Sequence, residues 1–447
     1  MTNNSENRVI RPIHYLGSKL RMLETIKDAI DFVDPSQGTI CDLFSGSGTV
    51  SKYMTQFRNV ISVDIQHYSS ILCEASINLL KDQVNEDEIL LKIKKSEINN
   101  LLQDVFGELL KYESNCLICA KNGDIDGLYE IIEKGSLYIE MNESLENISN
   151  DLKNVLSETI TNMAEKGIQE STDTMIVRYY GGLYFSYKQA VELDNIASFA
   201  FRQSGLLRTK LIAALLSTTS EIVNTVGKQF AQPLKVKNSE GKYKISLKNK
   251  ILQDRSINTY DVFRGWLCYY LQAGESKHFV KTITGNYTDS LKQIKNDNVK
   301  AVYADPPYTR YHYSRYYHVL ETICLRDNPI ITTTFPNGKG GISRAIYREG
   351  RHQSPFCIKS QADDAFEQMF KEVKELNVPL ILSYSPFDAS KAVTPRLRTI
   401  DQLIDMAKRY YSNVQIKSPG AFTHSKLNSS DRNLETNHEA ELLIICY

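Results

Sequence analysis

Val299-Lys300-Ala301-Val302-Tyr303-Ala304-Asp305-Pro306-Pro307-Tyr308 decides how this chain folds. Its first six residues form an apolar run with the length and composition of a buried strand. Two consecutive prolines cannot continue a central strand, so the ladder stops at Asp305. The carboxylate and the tyrosine ring are then left at the carboxyl edge of a sheet, where open α/β folds place their ligands. An acceptor beside a fixed aromatic ring suits a flat base that carries an amino group. The plainer alternative is a strand end followed by a proline-rich turn.

Working outward, the same pattern recurs at the N-terminal end. Leu23, Ile26 and Ile30 lie at helical spacing after Tyr15-Leu-Gly-Ser-Lys19, with Ser18 as the expected cap. A strand is expected over Thr39–Phe44, a helix start at Thr49–Met54, a strand over Asn59–Ile65 and a helix over Ser69–Leu80. Short links in a βαβα unit favour a parallel sheet. The alternation stops over residues 81–280, where helical patterns alternate with polar loops. It resumes with strands at Phe279–Tyr287, Val299–Ala304, Pro379–Ser385, Asn413–Ser418 and Glu441–Tyr447, and helices at Ser314–Leu325, Gln361–Leu376 and Ile400–Tyr410. The expectation is an α/β domain made of residues 1–80 and 277–447, split by a mainly helical insertion at 81–276.

Composition narrows the class. A chain of 447 residues with 42% hydrophobic and 24% charged residues has room for two or three domains and a real core. No long apolar run and no basic, apolar leader is evident, so neither membrane span nor secretion is expected. Eight scattered cysteines fit reduced thiols in a cytoplasmic protein. Cys116 and Cys119 form a lone C-x-x-C without further ligands, so no metal is expected. A formal net charge of zero argues against a generic nucleic-acid coat but allows a local basic face.

Asp42-Leu43-Phe44-Ser45-Gly46-Ser47-Gly48 lies between a strand and a helix, where glycines let the backbone pass close to a ligand. The third glycine of a dinucleotide fingerprint and the lysine of a phosphate loop are both missing, which argues against ATP hydrolysis. Asp64 closes the next strand, about twenty residues on, the spacing at which an acid takes a ribose hydroxyl pair.

In that order these segments resemble the S-adenosylmethionine-dependent DNA adenine-N6 methyltransferases, specifically the Dam-like group. Tyr15–Lys19 looks like that group's N-terminal cofactor-binding motif, and Asp42–Gly48 its glycine motif. Asp64 matches the ribose-binding acid, Gly285-Asn286-Tyr287-Thr288-Asp289 the segment beside the cofactor's adenine, and Asp305–Tyr308 the catalytic motif. Tyr184–Ala190, Asn224-Thr225, Tyr313–Glu321 and Ser383-Tyr384-Ser385 resemble further segments of bacterial adenine-specific DNA methylases.

The resemblance implies a Rossmann-like methyltransferase sheet with helices on both faces, the insertion serving as target recognition domain. S-adenosyl-L-methionine is the implied cofactor, held by Tyr15, Lys19, Asp42, Phe44, Gly46, Gly48, Asp64, Asn286, Tyr287 and Asp305. Asp305, Pro306, Pro307 and Tyr308 are the implied catalytic residues. Asp305 and the Pro306 carbonyl would accept hydrogen bonds from the adenine amino group while Tyr308 stacks on the base. Double-stranded DNA is the implied substrate, its target base flipped out. A role in restriction-modification would add a separately encoded cognate endonuclease; a solitary methylase would need none. RNA or the amino group of cytosine are alternative substrates. A silent DNA-binding subunit is a third possibility, against which Tyr15, Lys19, Asp64 and Asp305 speak.

Two basic stretches are candidates for backbone contacts to nucleic acid, with solvated or structural loops as the alternative. One holds Lys235, Lys237, Lys242, Lys244, Lys248, Lys250 and Arg255; the other holds Arg344, Arg348, Arg351 and His352 after a glycine-rich run. Tyr311 and Tyr313 are candidates for contacting a flipped nucleotide, whereas Tyr316 and Tyr317 suit helix packing. His312 and His318 lack partners at metal spacing. Cys41 and Cys446 suit small core positions. Residues 81–165 have no counterpart in the resemblance, and their acidity disfavours direct DNA contact.

Overall fold

A computed structural model describes residues 11–14, 19–274, 277–333, 340–386, 396–418 and 441–447. The chain divides into two compact units: residues 1–79, 273–314 and 352–447 form one, and 80–272 with 315–351 the other.

The first unit is built on seven strands: β1 Thr39–Asp42, β2 Val60–Asp64, β3 Val280–Thr284, β4 Val299–Ala304, β5 Leu380–Tyr384, β6 Val414–Lys417 and β7 Leu442–Cys446. They form one sheet in the order β3-β2-β1-β4-β5-β7-β6. The first five are parallel, and β7 runs antiparallel to both β5 and β6. This α/β sheet is consistent with a methyltransferase fold.

Its strands are apolar almost throughout because both faces are covered. Ile40, Val60, Ala301, Tyr303, Ile381 and Ile445 pack with Leu23, Ile26 and Ile30 of helix α1 (Leu23–Val33) and Met54 of α2 (Thr49–Met54). Their sequence neighbours Cys41, Ile61, Val302, Leu382, Ile444 and Cys446 point the other way, against Phe366, Met369, Phe370 and Val373 of the helix Ala362–Glu375. Removing a ring such as Phe366 from this core would cost about 3–5 kcal/mol. Chain order reverses between β1 and β4: β2 and β3 lie to one side, β5 to the other. At such a switch point the loops after the two central strands diverge and leave a crevice. Asp42 ends β1, and Asp305 directly follows β4.

Two elements depart from the sequence expectation. The strand expected over Phe279–Tyr287 stops at Thr284, and Tyr287 opens a helix, Tyr287–Gln293. Asn286 is the reason: its side chain accepts from Thr288 N at 3.2 Å and caps that helix. The helix expected over Ser314–Leu325 is two pieces, Tyr313–Tyr316 and His318–Leu325. The Tyr316 carbonyl is taken by Phe230 N–H at 3.0 Å, diverting it from the helical ladder. The Ser18 cap lies outside the described residues.

The second unit is helical, with Glu97–Lys121, Asn150–Glu165, Tyr187–Phe201, Gly205–Ile222 and Thr259–Gln272 as its longest elements. Its boundary also takes in 315–351, which the sequence alone assigns to the sheet domain. The amphipathic His318–Leu325 helix shows that an apolar face is present, but not which neighbour covers it. His318 Nε2 lies 3.0 Å from the Phe230 carbonyl, which ties that helix to the helical unit.

Several recognisable segments are framework here. Ser186 and Gln189 form a capping box, and Gln189 Nε2 donates to Asp254 O at 2.9 Å. Tyr184 OH donates to Phe230 O at 2.9 Å, and Asn224 Nδ2 to Asp254 Oδ2 at 2.8 Å. Cys116 and Cys119 sit on one helix, the first buried and the second exposed. Among the described residues no group of His, Cys, Asp or Glu is arranged to hold a metal ion, and no helix is long and apolar enough to cross a membrane.

Candidate active site

The carboxyl ends of β1, β2 and β4 open on a cleft of about 1140 Å³, mouth included. Asp42, Phe44, Gly46, Asp64, Asn286, Tyr287, Asp305 and Pro307 line it, together with Lys19. Local hydrogen bonding fixes one end. Ser45 N–H donates to Val63 O at 3.0 Å, so the chain leaving β1 stays beside β2 before it turns. Gly46 then adopts φ +53°, and its N–H donates to Asp64 Oδ2 at 2.9 Å. Gln66 N–H donates to the other oxygen, Oδ1, at 2.8 Å. Both Asp64 oxygens thus face the turn that follows β1 and the start of the loop after β2.

Asp42 is buried, and Ser51 Oγ donates to its Oδ2 at 2.6 Å. Burial pushes its carboxyl up to about 7, against the Ser51 hydrogen bond. Phe44, Tyr287 and Phe356 cluster with ring centroids 5.5–5.6 Å apart, an aromatic wall suited to a flat ring system.

Gly48 does not line the cleft. It has φ +74°, and a Cβ there would lie 2.9 Å from Cys73 Cα. Glycine is needed because α2 starts hard against the next helix, α3 (His67–Ile77). Tyr15 lies outside the described residues.

At the other end, Asp305 Oδ2 lies 2.6 Å from Lys19 Nζ, and the Asp305 side chain is 21% exposed to the cleft. Lys19 also reaches Glu441 Oε1 at 2.6 Å. Burial raises the Asp305 carboxyl; Lys19 opposes this and Glu441 reinforces it. Pro306 is buried and Tyr308 half-buried, and neither lines the cleft. The Tyr308 ring packs 5.2 Å from that of Tyr384, and the Arg396 guanidinium lies 4.8 Å from its centroid. Tyr313 lines the cleft, while Tyr311 is 42% exposed.

Sequence reasoning misses Glu441, Ser51 and Phe356. Glu441 had a readable signal, an acid directly before the apolar run Leu442–Cys446. Because β7 is antiparallel, its beginning lies at the edge where the parallel strands end. Several members of the two basic stretches are already engaged within the protein, while Lys235 and Lys242 are exposed. Arg255 is buried against Glu113 at 2.9 Å, and Lys250 pairs with Asp254 at 2.6 Å. Arg344 donates to Ile132 O at 2.8 Å and Arg348 pairs with Asp327 at 2.6 Å. Arg351 stacks over Tyr347, and burial lowers the pKa of His352, whose carbonyl accepts from Ser314 Oγ at 2.6 Å. Asn337, Gly338 and Lys339 lie outside the described residues.

Comparison with known proteins gives a consistent picture. Residues 15–202 match the family described as D12 class N6 adenine-specific DNA methyltransferase. Modification methylase LlaI of Lactococcus lactis subsp. lactis is 23% identical over 400 residues, 89% of this chain and 49% of its own length. Modification methylase StsI of Streptococcus sanguinis is 22% identical over 414 residues, 91% of this chain and 49% of its own length. The chain thus spans about half the length of these two relatives. Type II methyltransferase M.NlaIII of Neisseria lactamica is 22% identical over 364 residues, 80% of each protein. No solved structure matches. Over residues 15–202 the chain is thus similar to the D12 class N6 adenine-specific DNA methyltransferases, and over most of its length to modification methylases.

Proposed function

We propose that this chain methylates the N6 amino group of adenine in a specific sequence of double-stranded DNA, with S-adenosyl-L-methionine as methyl donor. The observation that carries this reading is the cleft at the β1/β4 switch point. It has a carboxylate-and-glycine turn with an aromatic wall at one end and Asp305 at the other. These groups fit the donor by chemistry. Asp64 can accept from a ribose hydroxyl pair, and Phe44 and Tyr287 can cover an adenine ring, with Asn286 beside them. Lys19, Asp42 and Gly46 would line the remainder, and Tyr15 belongs to the same assignment from sequence. Bound there, the donor supplies a methyl group made electrophilic by its sulfonium.

The adenine amino group is a poor nucleophile because its lone pair is delocalised into the ring. Asp305 and the Pro306 carbonyl, accepting its two N–H bonds, would localise that pair and fix its direction. Pro307 holds the turn, and Tyr308 stacks on the base, which requires a rotation of Tyr308 or a shift of Arg396. The nitrogen gains the methyl group as the donor's sulfur–methyl bond breaks to leave a neutral thioether. One proton passes from the nitrogen to solvent at the cleft mouth, so orientation and electrostatics suffice. A base inside a duplex cannot reach such a cleft and must flip out at a cost of roughly a few kcal/mol. We assign target recognition to the helical insertion, and a restriction-modification or solitary methylase role to the whole protein. A restriction-modification role brings a separately encoded endonuclease as partner.

The test is transfer of labelled methyl groups to unmethylated duplex DNA and, in parallel, to RNA, followed by nucleoside analysis. N6-methyladenine is expected. N4-methylcytosine would move the substrate to cytosine, label on RNA alone would move it to RNA, and no transfer to any of them would contradict the assignment.

A further inference from the structure

Behind Asp305 lies a charged cluster that the proposed transfer does not by itself explain. Lys19 Nζ sits 2.6 Å from Asp305 Oδ2 and 2.6 Å from Glu441 Oε1, and the Lys19 and Glu441 side chains are only 5% and 1% exposed. Ser383 Oγ, on β5, donates to the same Glu441 oxygen at 2.7 Å. With all three groups ionised, two carboxylates share one ammonium and the cluster carries a net negative charge. Burying a second carboxylate is expensive, and an apolar residue at the start of β7 would close the sheet edge without that cost.

The lysine alone would create a difficulty. A carboxylate fully paired to a buried ammonium gives up acceptor strength that an amino group needs. Lysine has three donors, so a second carboxylate can take one of them and a share of the charge. We propose that Glu441 is a positioning residue for Asp305: it holds Lys19 between two carboxylates, so Asp305 stays aimed into the cleft and remains a strong acceptor. This inference rests on the methyltransferase reading given above. Ser383 anchors Glu441 from the neighbouring strand, which keeps the cluster rigid.

The other ionisable groups that sense this cluster are Tyr303 on β4, Tyr308 and Tyr313 after the proline turn, and Asp42 at the end of β1, and the Arg396 guanidinium lies over the Tyr308 ring. Glu441 adds to burial in raising the Asp305 carboxyl, so removing its charge lowers the midpoint of Asp305. The acid limb of kcat then moves to lower pH, even as the maximal rate falls.

Two measurements on Glu441→Gln and Glu441→Asp, in the full chain, test this. The first is a carbon-detected NMR titration of the Asp305 carboxyl without cofactor, assigned with Asp305→Asn. Glu441→Gln should lower the midpoint by about one pH unit, and Glu441→Asp should largely restore it. The second is methyl transfer: kcat should fall about 10–100-fold in Glu441→Gln, with KM for S-adenosylmethionine within about twofold. Where near-ultraviolet circular dichroism shows Glu441→Gln misfolded, Ser383→Ala should give a smaller loss in kcat with KM again unchanged. An unmoved midpoint together with wild-type kcat would overturn the proposal. A wild type that transfers no methyl group, yet shows the midpoint shift, would overturn the proposed function while leaving the Glu441–Asp305 coupling standing.

Discussion

Both units of the molecule bury charged pairs, and the difference between them separates scaffold from chemistry. In the helical unit Arg255 and Glu113 meet at 2.9 Å with side chains at most 2% exposed, and Arg255 also donates to the Gly182 carbonyl at 2.6 Å. Asp194 there accepts from the Ile176 and Val177 N–H groups at 2.9 and 2.8 Å, which closes the start of a helix. These charges face only protein. In the sheet unit Lys19 and Asp305 are just as close, but Asp305 keeps part of its surface on the cleft. Burial and pairing therefore do not mark a site by themselves. A paired charge that still faces open space does, because its spare acceptor capacity is available to a ligand.

Truncating one charged residue in each unit separates the two roles most strongly. Asp305→Ala should lower methyl transfer by roughly a thousand-fold or more while S-adenosylmethionine binding, followed by calorimetry, is at least partly retained. Arg255→Met should instead act on stability, costing about 3–5 kcal/mol in urea unfolding because Glu113 is left buried and unpaired. Replacing both members, Arg255→Met with Glu113→Leu, should recover much of that loss. A single Arg255 variant of normal stability but low activity would erase the distinction.

Smaller effects sharpen it. Tyr308→Ala should cost about 1–3 kcal/mol of base stacking, read as a roughly 5–150-fold loss in kcat/KM for DNA with cofactor affinity unchanged. Arg264 pairs with Asp87 at 2.5 Å on the surface of the helical unit. Solvent and salt screen such a pair, so Arg264→Ala should leave both the unfolding midpoint and methyl transfer unchanged.

Much of the sheet unit was legible because its signals are local. Asp42, Asp64 and Asp305 each end an apolar run, and an acid at such a place falls at the carboxyl edge of a parallel strand whatever follows. Gly46 and Gly48 look alike in sequence but part company in space: one turns beside Asp64, the other makes room for Cys73. Glu441 escaped because its place depends on β7 running antiparallel, a property of sheet order. The arginines of 344–351 read as a basic loop because Glu133, which pairs with Arg344, is far away along the chain. Charge in sequence shows supply; only the fold shows which charges are already spoken for.

Adenine methylation in DNA is the activity proposed for the cleft that carries Asp305. Its most direct test is modification-sensitive sequencing of DNA from cells expressing this chain, beside cells expressing Asp305→Ala at equal soluble level. Methylated adenines at one recurring sequence, absent with the variant, are the predicted result. Unmodified adenine with the wild-type chain, or equal methylation with Asp305→Ala, would contradict it.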